Sequence, residues 1–506
     1  MNAAMNKHLC WLWLIFLSCG GAVAAPAADQ QPYIVASIPA ESLHLAEPRL
    51  PDISGYTREA IEAKIDASRR ATVTVRKIPG QPVMQQFIGS GNNLGEWVRR
   101  QHGMPQAIFI EGGYINLADL PRKLPAAHWR EVESGIHLAR LPIVVAQGAT
   151  LHIDGRTREL RLSQEGGAFL VNDGKLFIVG SKVTAWREAD DGPAYFRKSA
   201  EFRPFLIAWG GTETYIADSV ITGLGYDKAK SYGVSISQYP PSQTRLMKRG
   251  EPTGWIIDSE FIDMWYGFYC YETRDFVIKG SAYRDNIVYG IDPHDRSHGL
   301  IIAGNTAHGT KKRHGIIISR EVNDSFIFRN VSYDNKLSGI VLDRSSSNNQ
   351  VAWNEVRDNH ADGITIYESD NNLLWGNRVV NNLRHGIRVR NSENIRIYEN
   401  FIVGNKMHGV FGHVKDLSNT DRDIVLDPFK TEVSMTIVGG QIAYNDTGFF
   451  NIKPPLRLTL GRIDLRMSNK KGGHAVDDIM GKILDLLVRQ QKAVLVVPRK
   501  QGGEEQ

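Results

Sequence analysis

Four hexapeptides decide the fold: Gly315-Ile-Ile-Ile-Ser-Arg320, Gly339-Ile-Val-Leu-Asp-Arg344, Gly363-Ile-Thr-Ile-Tyr-Glu368 and Gly386-Ile-Arg-Val-Arg-Asn391, spaced 24, 24 and 23 residues apart. The signature extends outward to Gly267, Gly290 and Gly409, with spacings of 23, 25 and 23. Asn stands four residues before the Gly at Asn286, Asn335, Asn359, Asn382 and Asn405, and a second Asn column runs Asn305, Asn330, Asn354, Asn377, Asn400. Such self-similarity marks a solenoid. The apolar residues alternate in short runs, which is strand periodicity and too brief for amphipathic helices. Ile, Val and Asn dominate where a leucine-rich horseshoe would need Leu. The repeat therefore predicts an all-β chain, a right-handed parallel β-helix with about three short strands per coil and neighbouring coils ~4.8 Å apart. The Asn columns read as buried hydrogen-bonding ladders and the Gly column as tight bends.

The repeat accounts for a length of 506 residues, well beyond one ordinary domain. With 42% hydrophobic and 23% charged residues the chain is neither disordered nor fibrous. A net charge of +5 gives no case for nucleic-acid binding and moves the question to where the charge lies. Lys7 and His8 followed by the apolar run Leu9–Leu17 and Ala22-Val23-Ala24 describe a secretory signal cleaved after Ala24. Leu17 stands two residues before Cys19, one place too close for a lipobox. Cleavage removes Cys10 and Cys19 and leaves Cys270 alone, so no intrachain disulfide is expected and a periplasmic location fits. No other segment is apolar enough to span a bilayer.

The expected organisation is a signal peptide 1–24, an N-terminal subdomain or cap 25–105 with a helical pattern near Thr57–Arg70, and a β-helix 106–450. A C-terminal cap 451–499 follows, with an amphipathic helix over Ala475–Ala493, and then a disordered tail 500–506.

Alignment on the Gly converts sequence into a surface. Residues one and three after it are nearly all apolar and face the core, so residues two and four after it face solvent. The fourth position reads Tyr271, His294, Ser319, Asp343, Tyr367, Arg390, His413, and the fifth Glu272, Asp295, Arg320, Arg344, Glu368, Asn391. Seven Lys/Arg fall within residues 311–344, including Lys311, and four Arg within 384–396. Arg320, Arg344, Arg388 and Arg390, with Asp343 and Tyr367 among them, form a strip suited to an extended polymer bearing regularly spaced carboxylates, such as a polyuronate.

The outlying coil is Gly290-Ile-Asp292-Pro-His294-Asp295-Arg296. Imidazole ordinarily titrates near neutral pH, so His294 is the candidate general base, with Asp292 or Asp295 to orient it. Arg320, one coil on, is placed to neutralise a substrate carboxylate, which makes the proton on the adjacent carbon removable. No clear metal-ligand set accompanies these residues.

DPHDRSHGL, HGIIISREVNDS and the Asn-laddered coils resemble the periplasmic mannuronan C5-epimerases of alginate-producing bacteria, over essentially the whole mature chain. The resemblance implies conversion of β-D-mannuronate to α-L-guluronate in polymerised alginate, with His294 as base and Arg320 as charge neutraliser. It also implies membership of a periplasmic synthesis and export complex. Water, or Tyr289 beside the motif, returns the proton. No calcium-binding nonapeptide repeat occurs, so no cofactor is implied. The residues alone leave open a lyase or hydrolase on the same fold, or a non-catalytic polysaccharide-binding scaffold.

Overall fold

The computed structural model describes residues 32–43, 45–88, 94–120, 124–425, 427–452, 456–467 and 478–499. The expected signal peptide with its cleavage site, and the tail 500–506, lie outside them. Short strands stack into three long sheets of 15, 14 and 15 members, and successive coils add one strand to each. One coil is Ile316–Ser319, Phe326–Phe328 and Val331–Tyr333; the next begins at Ile340–Asp343. The register is in step, Ile316 beside Ile340 and Ser319 beside Asp343, and the coils pair in parallel. This is the parallel β-helix that the repeat predicts.

The first and third residues after each Gly fill the interior. Ile291, Ile316, Ile318, Ile340, Leu342, Ile364 and Ile366 all belong to one fully buried core running through the coils, each such side chain contributing about 1.5–3 kcal/mol. Both Asn columns are buried and bonded from coil to coil. Asn354 Nδ2 donates to Ile327 O at 2.8 Å and to Asn377 Oδ1 at 2.9 Å, while its own Oδ1 accepts from Asn330 N and Nδ2, both at 2.9 Å. The Gly column serves a different purpose from the bend expected of it. Gly339 is not left-handed; a Cβ there would lie 2.4 Å from Val356 Cγ1 and 2.7 Å from Asn359 Nδ2, so the ladder's close approach excludes any side chain.

The described residues of 25–105 are spread along the stack and reach both of its ends. Tyr33–Ile38 pairs antiparallel with Ala493–Pro498 at the C-terminal end of the stack. The chain then returns along the outer face of a sheet, where Leu45, Leu50, Ile53 and Tyr56 pack on a cluster that includes Val277, Ile301, Phe328 and Trp375. Finally Thr72–Lys77 pairs antiparallel with Gln106–Glu111 and closes the first coil. The segment thus extends one sheet at each end of the stack and shields part of its open edges. The helix expected over Thr57–Arg70 shrinks to Arg58–Glu62, capped by Thr57 Oγ1, because Asp66 turns the chain by accepting from Ser68 N.

The β-helix also runs past residue 450: Leu456–Gly461 and Asp464–Arg466 still add in parallel. The helical segment expected over Ala475–Ala493 is Asp478–Leu484 followed by a π-helical turn Asp485–Arg489, with Ile483 and Leu487 buried in the core; residues 475–477 lie outside the described ones. The Pro/Lys/Arg-rich insertion 239–252 holds a helix at Pro241–Met247. Near the N-terminal end, a cluster containing Trp97, Phe169, Phe202, Phe205, Trp209 and Tyr239 covers the outer face of the sheet that carries the hexapeptides. That sheet's later coils form the floor of a groove.

Candidate active site

On the groove sheet Tyr269 stands beside Asp292, Tyr271 beside His294, and His294 beside Ser319. The strand ends at the fourth position, and the fifth turns the chain through left-handed backbone: Asp295, Arg320, Arg344 and Glu368 have φ of 35°, 62°, 50° and 51°. At three adjacent coils the next residue is left-handed too, at Arg296, Glu321 and Ser345. Consecutive left-handed non-glycine residues are costly. The turns survive because each is stitched to the next, Arg296 N donating to Arg320 O at 2.9 Å and Glu321 N to Arg344 O at 2.8 Å.

His294 Nδ1 lies in a short hydrogen bond to Asp295 Oδ2. That partner fixes the tautomer, with Nδ1 protonated and Nε2 free to accept a proton. The other oxygen of Asp295 lies 3.8 Å from the half-exposed Arg320 guanidinium. Although burial opposes its charge, the His294 ring and the Arg320 and Arg296 guanidinium groups hold the Asp295 carboxyl below its usual range. Imidazole, carboxylate and guanidinium thus form one line across two coils.

Asp292 does not share the orienting role expected of it. It occupies the second position after Gly290 and is buried beside Tyr269, with Oδ1 lacking a partner among the described residues. Burial, reinforced by Asp295 and Asp343 against the pull of His294, pushes its carboxyl up to about 7. Most of the second column departs from the solvent-facing expectation, since Tyr269, Ile317, Val341 and Thr365 are buried as well, while Arg388 and Phe411 stay partly exposed. Outward direction is not exposure when the groove walls close over the floor.

Beyond Arg320 the cleft is about 720 Å³ and is lined by Asp295, Arg320, Asp343, Arg344, Tyr367 and Arg390, together with the segment around Arg422. The Arg390 guanidinium sits 3.9 Å above the centre of the Tyr367 ring and 2.7 Å from Glu368. Arg388 contacts Asp362 at 3.5 Å and His413 at 3.1–3.2 Å. Burial, opposed by Arg344, raises the Asp343 carboxyl. Arg422 bridges Glu368 and Asp427 and fastens the segment after residue 413 over this end.

Two expected residues are placed otherwise. Lys311 pairs at 2.8 Å with Asp263, which also holds the buried Arg203 at 2.9 Å, so Lys311 braces the wall. Tyr289 meets Arg313 at 3.3 Å and stacks on His314, and burial pushes its phenol up to about 12. Of the basic runs, Arg329 sits at the corner leading out of Phe326–Phe328 and Arg396 within Ile395–Tyr398, both outside the groove sheet. Sequence reasoning missed Lys230, whose Nζ lies 3.2 Å above the centre of the Tyr271 ring beside His294, and the Arg422 clasp. Both lie in irregular connections outside the repeat, where register assigns no position.

The curated relatives decide the family. A mannuronan C5-epimerase of Pseudomonas putida is 58% identical over 95% of this chain and 94% of its own length. The chain belongs to the mannuronan C5-epimerases. A mannuronan C5-epimerase of Pseudomonas aeruginosa is 59% identical over 93% of this chain and 88% of its own. The crystal structure of the periplasmic alginate epimerase AlgG, 57% identical, superposes with a TM-score of 0.81, covering 84% of this chain and 99% of that one. A family model described as periplasmic copper-binding protein (NosD) matches residues 218–420 of this mannuronan C5-epimerase, which are mostly its repeated coils. Among the described residues no group of three or more His, Cys, Asp or Glu is arranged to hold a metal ion.

Proposed function

We propose that this chain performs the epimerisation of its family, β-D-mannuronate to α-L-guluronate at C5 within polymeric alginate, with His294 as the base. The observation that carries this reading is the line His294–Asp295–Arg320. A uronate carboxylate set against Arg320 loses its charge repulsion toward the carbanion, and the C5–H electron pair passes into the carboxylate as an enediolate. His294 Nε2 takes the proton, and Asp295 stabilises the imidazolium that forms. A proton delivered to the opposite face of C5 gives guluronate. Arg344, Arg388 and Arg390, with Asp343 and Tyr367, hold neighbouring residues of the polymer, and Lys311 holds the wall.

Proton removal and carboxylate neutralisation in this reading use side chains of this chain, and no calcium or other cofactor enters it; unchanged conversion after dialysis against a chelator tests that. Likeness to a periplasmic epimerase supports a periplasmic location, with cleavage after Ala24, which mass spectrometry of the secreted chain checks. Action on nascent polymer within an export complex is part of the same reading, and co-purification of the periplasmic assembly tests it. Among the described residues no helix is long and apolar enough to cross a membrane. The decisive assay is incubation with polymannuronate in deuterated water followed by NMR. Guluronate carrying deuterium at C5 supports the epimerase; unsaturated ends indicate a lyase, new saturated reducing ends a hydrolase, and no change a scaffold.

A further inference from the structure

Epimerisation needs a second proton-handling group, on the face of C5 opposite His294. Burial raises the phenols near the base, Tyr289 to about 12 and Tyr269 higher still, so a proton given up there is slow to be replaced near neutral pH. A different group reaches the same space. The connection between Val220–Thr222 and Gly233–Ser237 folds back as a tight loop, Gly225 N donating to Pro204 O at 2.7 Å, Asp227 N to Ser199 O at 2.9 Å and Ser231 N to Lys228 O at 2.9 Å. Lys230 on this loop is left-handed, φ 66°, although it is not a glycine. Its Nζ is thereby held 3.2 Å above the centre of the Tyr271 ring and 5.6 Å from that of Tyr269. Tyr271 is the register neighbour of His294, and the Tyr269 and His294 rings are 5.9 Å apart.

The charged and titratable groups facing Lys230 are Tyr269, Tyr271 and Glu272 of one coil and Asp295 and Arg296 of the next, while the Cys270 thiol between them points into the core; Asp227 and Lys228 share its loop. Glu272 is engaged by Arg296, and Asp295 by His294 and Arg320. Among the described residues no carboxylate forms an ion pair with Lys230, whereas Arg296, Arg320, Arg344 and Arg390 on the floor are all paired. An ammonium resting on aromatic rings beside the base, with no acid of its own, is placed to meet substrate.

We propose that Lys230 is the catalytic acid that reprotonates C5. The C5–H bond breaks toward His294 Nε2 and its electron pair enters the carboxylate as an enediolate. That pair then returns to C5 on the other face and forms a bond to a proton from Nζ, leaving a neutral amine. Solvent takes the proton from His294 and returns one to Lys230. Burial, against the attraction of Asp295 and Glu272, brings the ammonium down to about 7, so the group can both hold and release a proton near neutral pH. This assignment rests on His294 as base.

The test is the mature chain with polymannuronate in deuterated water, following guluronate by NMR and deuterium at C5 of the remaining mannuronate by mass spectrometry after depolymerisation. Lys230→Met should lower guluronate formation ~100-fold or more, the usual worth of a general acid. It should keep deuterium entering mannuronate, because His294 still removes the proton and returns a solvent-exchanged one to the same face. Guluronate formation within five-fold of the parent, or equal loss of exchange and conversion in a folded variant, overturns the proposal. Lys230→Arg retains the cation on Tyr271 but releases no proton. It should fold and bind polymer as the parent does yet convert as poorly as Lys230→Met, and parental conversion would overturn the assignment. His294→Gln separates the two readings, since retained exchange there defeats the base and leaves the Lys230 outcomes to be judged alone.

Discussion

Replacing Asp295 by Asn keeps the size of the side chain and an oxygen for His294 Nδ1 but removes the charge that meets the imidazolium. Asp295 and His294 side chains are only 17% and 23% exposed, so the pair is poorly screened. A carboxylate and a cation about 4 Å apart at an effective dielectric near 20 attract by about 4 kcal/mol. The charge is needed only once the proton has moved to the ring, so the loss should fall on the chemical step and slow conversion about a thousand-fold. The assay is the initial rate of guluronate formation at saturating polymannuronate, with thermal denaturation to show that the variant is folded. KM should change little, because Arg320 and the other arginines remain. An Asp295→Asn rate within ten-fold of the parent, in a folded protein, would refute the claim that this carboxylate stabilises the imidazolium.

Arg320→Ala should abolish detectable conversion and leave the melting temperature unchanged, since its guanidinium is half exposed and its ion pair to Asp295 is long; circular dichroism and NMR check the two halves. Asn354→Ala strands several buried groups, among them Asn330 N and Ile327 O, and should cost about 3–5 kcal/mol in denaturant unfolding. Asp292 gives a signed pH dependence. Its folded pKa of about 7 lies above the unfolded value, so the native state holds the extra proton between about pH 4 and 7 and stability falls as pH rises through that window. Asp292→Asn should flatten that fall, worth on the order of a few kcal/mol, in melting curves recorded from pH 4 to 8.

The fold was legible because its determinants repeat. Ile316, Ile340 and Ile364 occupy one register position, so the Gly spacing placed three strands, a core and a groove face together. The purpose of the Gly column was not legible, because the contact that excludes a Cβ at Gly339 comes from Val356 and Asn359, one coil away. The same limit applies to the site. His294, Asp295 and Arg320 fall together because they are register neighbours, whereas the burial of Asp292 depends on neighbouring coils and walls that alternation cannot foresee. Lys311 looked like part of a basic strip, yet its partner Asp263 is 48 residues away in sequence. The clasp of Tyr33–Ile38 onto Ala493–Pro498 joins opposite ends of the chain, and a local pattern carries no trace of it.

The central claim is that His294 takes the C5 proton, and the most direct measurement is C5 deuterium incorporation by His294→Gln acting on polymannuronate in deuterated water. The account predicts a folded protein that binds the polymer, forms no guluronate and places no deuterium at C5 of either sugar. Deuterated guluronate formed by that variant at a rate near the parent's would contradict it.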